Sequence, residues 1–114
     1  MMKPGFSYTE LASFSKRRDE LIGENGLMIL QAILNKNPEA GDVMRNTGGA
    51  RKVRVPVPGR NSGKSGGARV VYYFIAESGK IYLMAIIDKK EQENLTATEK
   101  KAIKSIIDGL EKEK

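Results

Sequence analysis

Three strand-like segments follow one another in the middle of the chain, without a helical pattern between them. In the first, 50–57, valines alternate with Lys52 and Arg54; the second is 68–75, and the third, 81–87, is almost continuously apolar. Alternation places successive side chains on opposite faces of a strand. Strands that follow one another without a helical crossover pair antiparallel. The segments therefore predict an antiparallel meander whose first strand has one packed face and one basic face.

Helical patterns flank this meander. Apolar residues recur at helical spacing over 24–35 and again after Thr96-Ala-Thr-Glu99, which has the spacing of a capping box, while a shorter helix is expected over 13–22. The segment 6–11 fits either a first strand or the start of a helix. Together these elements predict an α+β domain in which helices cover one face of an antiparallel sheet.

The length of 114 residues fits a single domain, 1–114. We expect a core over 6–107 and a frayed tail over 108–114, because the last four residues, Glu-Lys-Glu-Lys, have no apolar partner. No apolar run approaches the roughly 20 residues needed to span a bilayer, and 1–6 lacks the pattern of a signal peptide. These features predict a cytoplasmic protein that does not engage a membrane.

The chain contains neither cysteine nor histidine. Their absence excludes thiolate nucleophiles, imidazole metal ligands and the commonest general base. Any chemistry must therefore use lysine, arginine, tyrosine, hydroxyl or carboxylate groups, and we expect no cofactor or metal.

Positive charge is concentrated in the middle of the chain. The net charge is +6, yet the segment 43–76 contains no acidic residue and seven basic ones: Arg45, Arg51, Lys52, Arg54, Arg60, Lys64 and Arg69. Charge carried on strand-forming residues indicates a folded phosphate-binding face, with solubility alone as the alternative. Lys52, Arg54 and Arg69 could converge on one phosphate, unless Arg69 points into the packed side or forms a salt bridge.

The segment 59–65 has the composition of a nucleotide-binding loop but not its spacing. Three residues separate Gly59 from Gly63, where the nucleotide motif has four, and a strand follows where the motif needs a helix. The remaining interpretation of this segment is a basic loop that contacts a nucleic-acid backbone through Arg60 and Lys64. Nearby, one of the adjacent tyrosines Tyr72 and Tyr73 must face the basic side, where an aromatic ring could stack on a base.

Several segments together resemble the RelE/ParE superfamily of toxins, in particular the RelE/HigB branch of bacterial type II toxin-antitoxin modules. The most specific is Gly63-Lys-Ser-Gly-Gly-Ala-Arg-Val-Val-Tyr-Tyr73. The others are 40–43, 47–54, 81–83 and 89–96, so the resemblance extends over about 6–107.

The resemblance implies a compact RelE-like β-α-α-β-β-β fold with a C-terminal helix, and it favours a strand at 6–11. It also implies a toxin that cleaves mRNA in the ribosomal A site, a metal-independent endoribonuclease, until a cognate antitoxin with a helix-turn-helix DNA-binding domain neutralises it. A ParE-like inhibitor of DNA gyrase and a non-catalytic module that binds RNA or sequesters antitoxin are the alternatives.

The same resemblance assigns candidate site residues. The catalytic candidates are Lys52, Arg54, Arg69 and Lys90. The candidates for contact with RNA or the ribosome are Arg51, Arg60, Lys64, Lys89 and Tyr73. We expect Lys52 to be the general base, because nearby positive charges favour a neutral lysine. Arg54 and Arg69 would hold the phosphate, and Lys89 or Lys90 would be the acid. Many RelE-like enzymes have a functional tyrosine near the C-terminus, but no tyrosine follows Tyr82 here.

Overall fold

The computed structural model describes residues 5–56, 67–88 and 91–113. Five strands and three helices are present in this part of the chain. In chain order they are β1 (Ser7–Glu10), α1 (Ala12–Leu21), α2 (Gly23–Lys36), β2 (Asp42–Val43), β3 (Arg51–Val55), β4 (Ala68–Ile75), β5 (Lys80–Asp88) and α3 (Ala97–Glu113).

The strands form one sheet in the order β1-β5-β4-β3-β2. The α+β class, the strand-helix-helix-strand-strand-strand order and the C-terminal helix are confirmed, and 6–11 contains a strand. Two details differ from the predicted antiparallel meander. The short strand β2 pairs with β3, and β1 runs parallel to β5. Parallel pairing is possible for β1 because α1 and α2 carry the chain from this edge of the sheet to the opposite one.

Helices cover both faces of the sheet, so the prediction that they cover one face was wrong. On one face α1 and α2 pack on the sheet, with Phe14, Leu30 and Leu34 in a common core with Val55, Val70 and Tyr72. On the other face, Ile103 and Ile107 of α3 pack against Val71, Met84 and Ile87. The reason is that β4 and β5 are apolar on both sides, and a strand of this composition must be buried on both.

An irregularity in the central pair of strands anchors α1. Val71 pairs with Ala85 and Tyr72 pairs with Leu83, so Met84 is an extra residue in β5. The Ser13 hydroxyl donates a hydrogen bond to the Met84 carbonyl. The Ser13 side chain, at the start of α1, therefore provides a hydrogen-bond donor for the Met84 carbonyl at the bulge, where regular strand pairing is interrupted.

Helix α3 continues to Glu113 and therefore includes most of the segment 108–114 that is expected to fray. One reason is a tertiary contact: the Tyr73 hydroxyl of β4 donates a hydrogen bond to the Glu111 carboxylate. At its other end the helix has the predicted capping box. The Glu99 amide donates to the Thr96 hydroxyl at 3.1 Å, and the Thr96 amide donates to the Glu99 carboxylate at 2.8 Å.

Among the helices of the described residues, none is long and apolar enough to cross a membrane.

Candidate nucleic-acid-binding face

The register of β3 and β4 brings three basic side chains to one face of the sheet. Arg54 pairs directly with Arg69, and Lys52 pairs with Val71. Val71 belongs to the core beneath α3. Because directly paired residues project to the same side of a sheet, Lys52, Arg54 and Arg69 all lie on the α3 face. Val53 and Val55, in between, are buried on the other face, as the alternation predicts.

The pairing of Arg54 with Arg69 concentrates positive charge. Like charges directly opposite each other destabilise a sheet. Arg69 is partly buried, and its Nη1 atom is shielded from solvent and has no hydrogen-bond partner among the residues that the structure describes. A buried donor without an acceptor is costly, and a charged one more so. An anion bound on this face would offset the positive charge that Arg54 and Arg69 bring together.

Lys52 lies beside a cavity of about 270 Å³ at the edge of the same face. Asp42 is its direct partner across β2 and β3. The cavity also includes Arg45, from the turn after β2, and Lys100, from the first turns of α3. Lysine, arginine and carboxylate side chains thus meet where β2, β3 and α3 approach one another.

Lys100 is a member of this group that the sequence alone did not suggest. The capping box predicts that Lys100 lies near the start of a helix, but the side of the sheet on which that helix packs depends on tertiary structure. Arg45 was visible as part of the central basic segment, without an indication of where it would lie.

Arg51 lies away from these cations, although the sequence grouped it with them. Its Nη1 donates to the carbonyl oxygens of Glu39 at 3.2 Å and Gly41 at 2.8 Å. Its Nη2 is 3.5 Å from the Glu39 carboxylate. Arg51 therefore holds the connection between α2 and β2 in place. The sequence could have shown that Arg51 faces the other side of the sheet. Arg51 is two residues from the buried Val53, and residues two apart in a strand project to the same face.

The adjacent tyrosines face opposite sides of the sheet, as predicted. Tyr72 is fully buried; its hydroxyl donates to the Pro38 carbonyl at 2.8 Å and accepts from the Gly41 amide at 2.9 Å. Burial raises the pKa of Tyr72 above its ordinary value. Tyr73 is on the α3 side, but it packs against the core beneath that helix and bonds to Glu111. The structure gives it a packing role beside its proposed contact with RNA.

The remaining candidates, Arg60, Lys64, Lys89 and Lys90, lie outside the described residues. In the described ranges, no group of three or more carboxylates is arranged to hold a metal ion. The described part of the site is therefore a cationic face that can bind and stabilise phosphate charge.

No family model matches the sequence. Among solved structures, the chain is similar to a mutant of the E. coli toxin RelE in the free state. The TM-score is 0.54 at 15% sequence identity, and the match covers 78% of this chain and 88% of that one. It is also similar to a chain of the intact E. coli RelBE toxin-antitoxin complex. There the TM-score is 0.54 at 17% identity, and the coverage is 78% and 99%. The chain therefore has a RelE-like toxin fold.

Proposed function

We propose that this protein is the toxin of a type II toxin-antitoxin module and cleaves mRNA on the ribosome. The observation that carries the proposal is the direct pairing of Arg54 with Arg69 on the face that also holds Lys52. In the described part of the chain, the buried Nη1 of Arg69 has no acceptor. The RelE-like fold supports the toxin class.

The chemistry that fits these residues is transfer of a phosphoryl group within the RNA strand. The 2′-oxygen attacks the adjacent phosphorus, the bond to the 5′-oxygen breaks, and the products are a 2′,3′-cyclic phosphate and a 5′-hydroxyl. Lys52 takes the proton of the 2′-hydroxyl, while Arg54 and Arg69 stabilise the charge that develops on the phosphorane oxygens. Lys90 or Lys89 delivers the proton to the leaving oxygen.

These residues are poor general acid-base catalysts, because lysine and arginine are protonated at neutral pH in water. Correct positioning of the 2′-oxygen in line with the phosphorus must therefore contribute much of the rate. We assign this positioning to the ribosome, which makes the protein a poor nuclease on free RNA.

We also propose that a cognate antitoxin with a helix-turn-helix DNA-binding domain neutralises this protein. The toxin would act in the cytoplasm, because its proposed target, the translating ribosome, is there. The similarity to a chain of the RelBE toxin-antitoxin complex supports an antitoxin partner. An antitoxin with acidic side chains over Lys52, Arg54 and Arg69 would offset their positive charge and block access to RNA.

The direct test is cleavage of mRNA on programmed ribosomes by the wild type and by Lys52→Ala and Arg69→Ala variants. We expect each variant to cut about 100-fold more slowly, since removal of a general base and removal of one group that stabilises developing charge both have effects of about this size. Lys36→Ala is the control, since Lys36 is exposed at the end of α2. Cleavage by both site variants at the wild-type rate would refute the site. Growth arrest with intact mRNA would refute the nuclease, and DNA damage would then indicate gyrase as the target.

A further inference from the structure

A second row of cations lies on α3, beyond the residues assigned to cleavage. Lys100, Lys101 and Lys104 line a cavity of about 410 Å³ together with Asn46 and Ala97. Lys100 also lines the cavity beside Lys52. The two cavities thus share Lys100 as a lining residue, and we treat them together as one groove. We call it the lysine groove and define it by its cations: Arg45, Lys52, Lys100, Lys101 and Lys104.

One wall of the lysine groove is a hairpin turn held in a defined conformation. The Met44 amide donates to the Ala50 carbonyl at 2.8 Å. Inside this turn, Thr47 is fully buried, and its hydroxyl donates to the Met44 carbonyl at 2.8 Å and accepts from the Ala50 amide at 3.1 Å. Asn46 has a positive φ of 63°, which this turn requires. The wall therefore exists before any ligand binds.

The same turn packs on α3, which forms the other wall. A Cβ added to Gly48 would lie 3.4 Å from Cγ of Lys104 and 3.5 Å from Cγ2 of Ile107. The aliphatic part of Lys104 therefore runs along the turn. This contact brings the two walls together at Gly48 and Lys104.

The charge of the lysine groove is strongly positive. Five cations line the two cavities, and Asp42 is the only carboxylate that does so among the described residues. Lys104 is also 3.1 Å from Asp108, but both side chains are about half exposed, so this pair contributes little and a phosphate can replace it. A concave surface lined by one sign of charge focuses the field and attracts anions.

The arrangement of these cations favours binding of a polyanion over binding of a single small anion. The ammonium groups are spread along the lysine groove, with Lys100 and Lys104 one helical turn, or about 6 Å, apart. Lysines act as point charges that contact phosphates without reading bases. We propose that the lysine groove binds the sugar-phosphate backbone of the single-stranded RNA that flanks the cleaved bond. This inference rests on the proposed function, because Lys52 belongs both to the cleavage site and to the end of the groove.

The test measures RNA binding separately from cleavage. The probe is a 2′-O-methyl oligoribonucleotide of about twelve nucleotides, in which the attacking hydroxyl is blocked, and fluorescence anisotropy gives its Kd over a range of KCl concentrations. The variant is Lys100→Gln/Lys101→Gln/Lys104→Gln. The control, Lys16→Gln/Lys36→Gln/Lys80→Gln, removes the same charge from exposed lysines outside the groove. Glutamine and lysine have similar helix propensities.

We expect the groove variant to lower the slope of log K against log salt by about 2, since each phosphate contact on a single strand contributes about 0.7. At about 0.1 M salt this corresponds to binding that is about 100-fold weaker. The control should keep the wild-type slope. If the triple variant fails to fold, Lys100→Gln/Lys101→Gln spares the pair with Asp108 and should lower the slope by about 1.4.

Equal slopes for the groove variant and the control would overturn the inference, and so would a wild type that does not bind the oligonucleotide. A groove variant that loses binding to polyglutamate but keeps RNA binding would assign the groove to an acidic protein instead. Cleavage by the wild type on ribosomes is measured in parallel. If the wild type cleaves mRNA but the groove variant keeps the wild-type salt slope, only the groove is refuted. If the groove variant has a lowered salt slope but the wild type does not cleave mRNA, only the proposed nuclease is refuted.

Discussion

Arg54 and Arg69 are direct partners across two antiparallel strands, and the buried Nη1 atom of Arg69 has no hydrogen-bond partner within residues 5–56, 67–88 and 91–113. A protein selected for stability alone would not keep this arrangement, because the like charges and the unsatisfied donor both oppose folding. Functional sites often retain such costs, because activity is selected together with stability. This relationship is the physical basis for assigning phosphate binding to this face.

The first prediction follows from that cost. Arg69→Met removes the buried donor and the repulsion but keeps an unbranched side chain, so it should raise the free energy of unfolding by about 1 kcal/mol. Urea unfolding measures the change, and binding of the oligonucleotide should weaken in parallel. Arg45→Met, at an exposed position, should change stability by less than about 0.5 kcal/mol. An Arg69→Met protein less stable than the wild type would contradict this interpretation.

The second prediction concerns Tyr72. Tyr72→Phe should lower the free energy of unfolding by about 1–3 kcal/mol, because the Gly41 amide loses its acceptor and the Pro38 carbonyl its donor. Thermal or urea unfolding checks this value. Tyr82→Phe is the matched control: Tyr82 is a partly buried β5 tyrosine. If Tyr72→Phe lowers the free energy of unfolding by no more than Tyr82→Phe does, the buried Tyr72 hydroxyl does not contribute to stability.

The third prediction is a pH dependence from the same residue. Burial raises the pKa of Tyr72 in the folded state, so the folded protein holds this proton more tightly than the unfolded chain does. The associated stability is fully present below the unfolded pKa of about 10 and is lost as the pH rises above it. Tyr72→Phe should therefore show a shallower loss of stability between neutral and strongly alkaline pH. Identical slopes for the two proteins would be inconsistent with the raised pKa.

The fourth prediction concerns the start of α3. Thr96→Ala removes the acceptor of the Glu99 amide and should cost about 1 kcal/mol of stability at neutral pH. The Thr96 backbone amide and the Gln92 side chain lower the pKa of Glu99. The stability linked to this carboxylate is therefore present above its ordinary pKa and is lost as the pH falls through the lowered value. Glu99→Gln should flatten this acid limb in urea unfolding; an unchanged limb would exclude the capping contribution.

The fifth prediction separates packing from RNA binding at Tyr73. Tyr73→Phe removes the hydrogen bond to Glu111, so amide hydrogen exchange over 108–113 should become faster, since helix ends open locally when a tertiary contact is lost. Affinity for the oligonucleotide should stay within about twofold of the wild type, because the ring packs beneath α3. A tenfold loss of RNA affinity, about 1.4 kcal/mol, would instead place the Tyr73 hydroxyl in contact with RNA.

Local patterns in the sequence determined the elements and much of their orientation. The alternation of Val53 and Val55 with Lys52 and Arg54 predicted a packed and a basic face, and strand β4 lies at the predicted residues 68–75. The capping box at Thr96 and Glu99 marked the start of α3. Side-chain period and capping depend on neighbours in the chain, so the sequence contains them directly.

Tertiary structure decided which elements meet. The register that pairs Arg54 with Arg69, the parallel pairing of β1 with β5 and the position of α3 on the second face of the sheet all depend on contacts between distant segments. The lysine groove is the clearest example, since Lys100 and Lys104 line it only because the turn at 44–50 packs beside α3. A sequence specifies charge and local conformation, but the burial of two apolar faces at once determines where those charges come together.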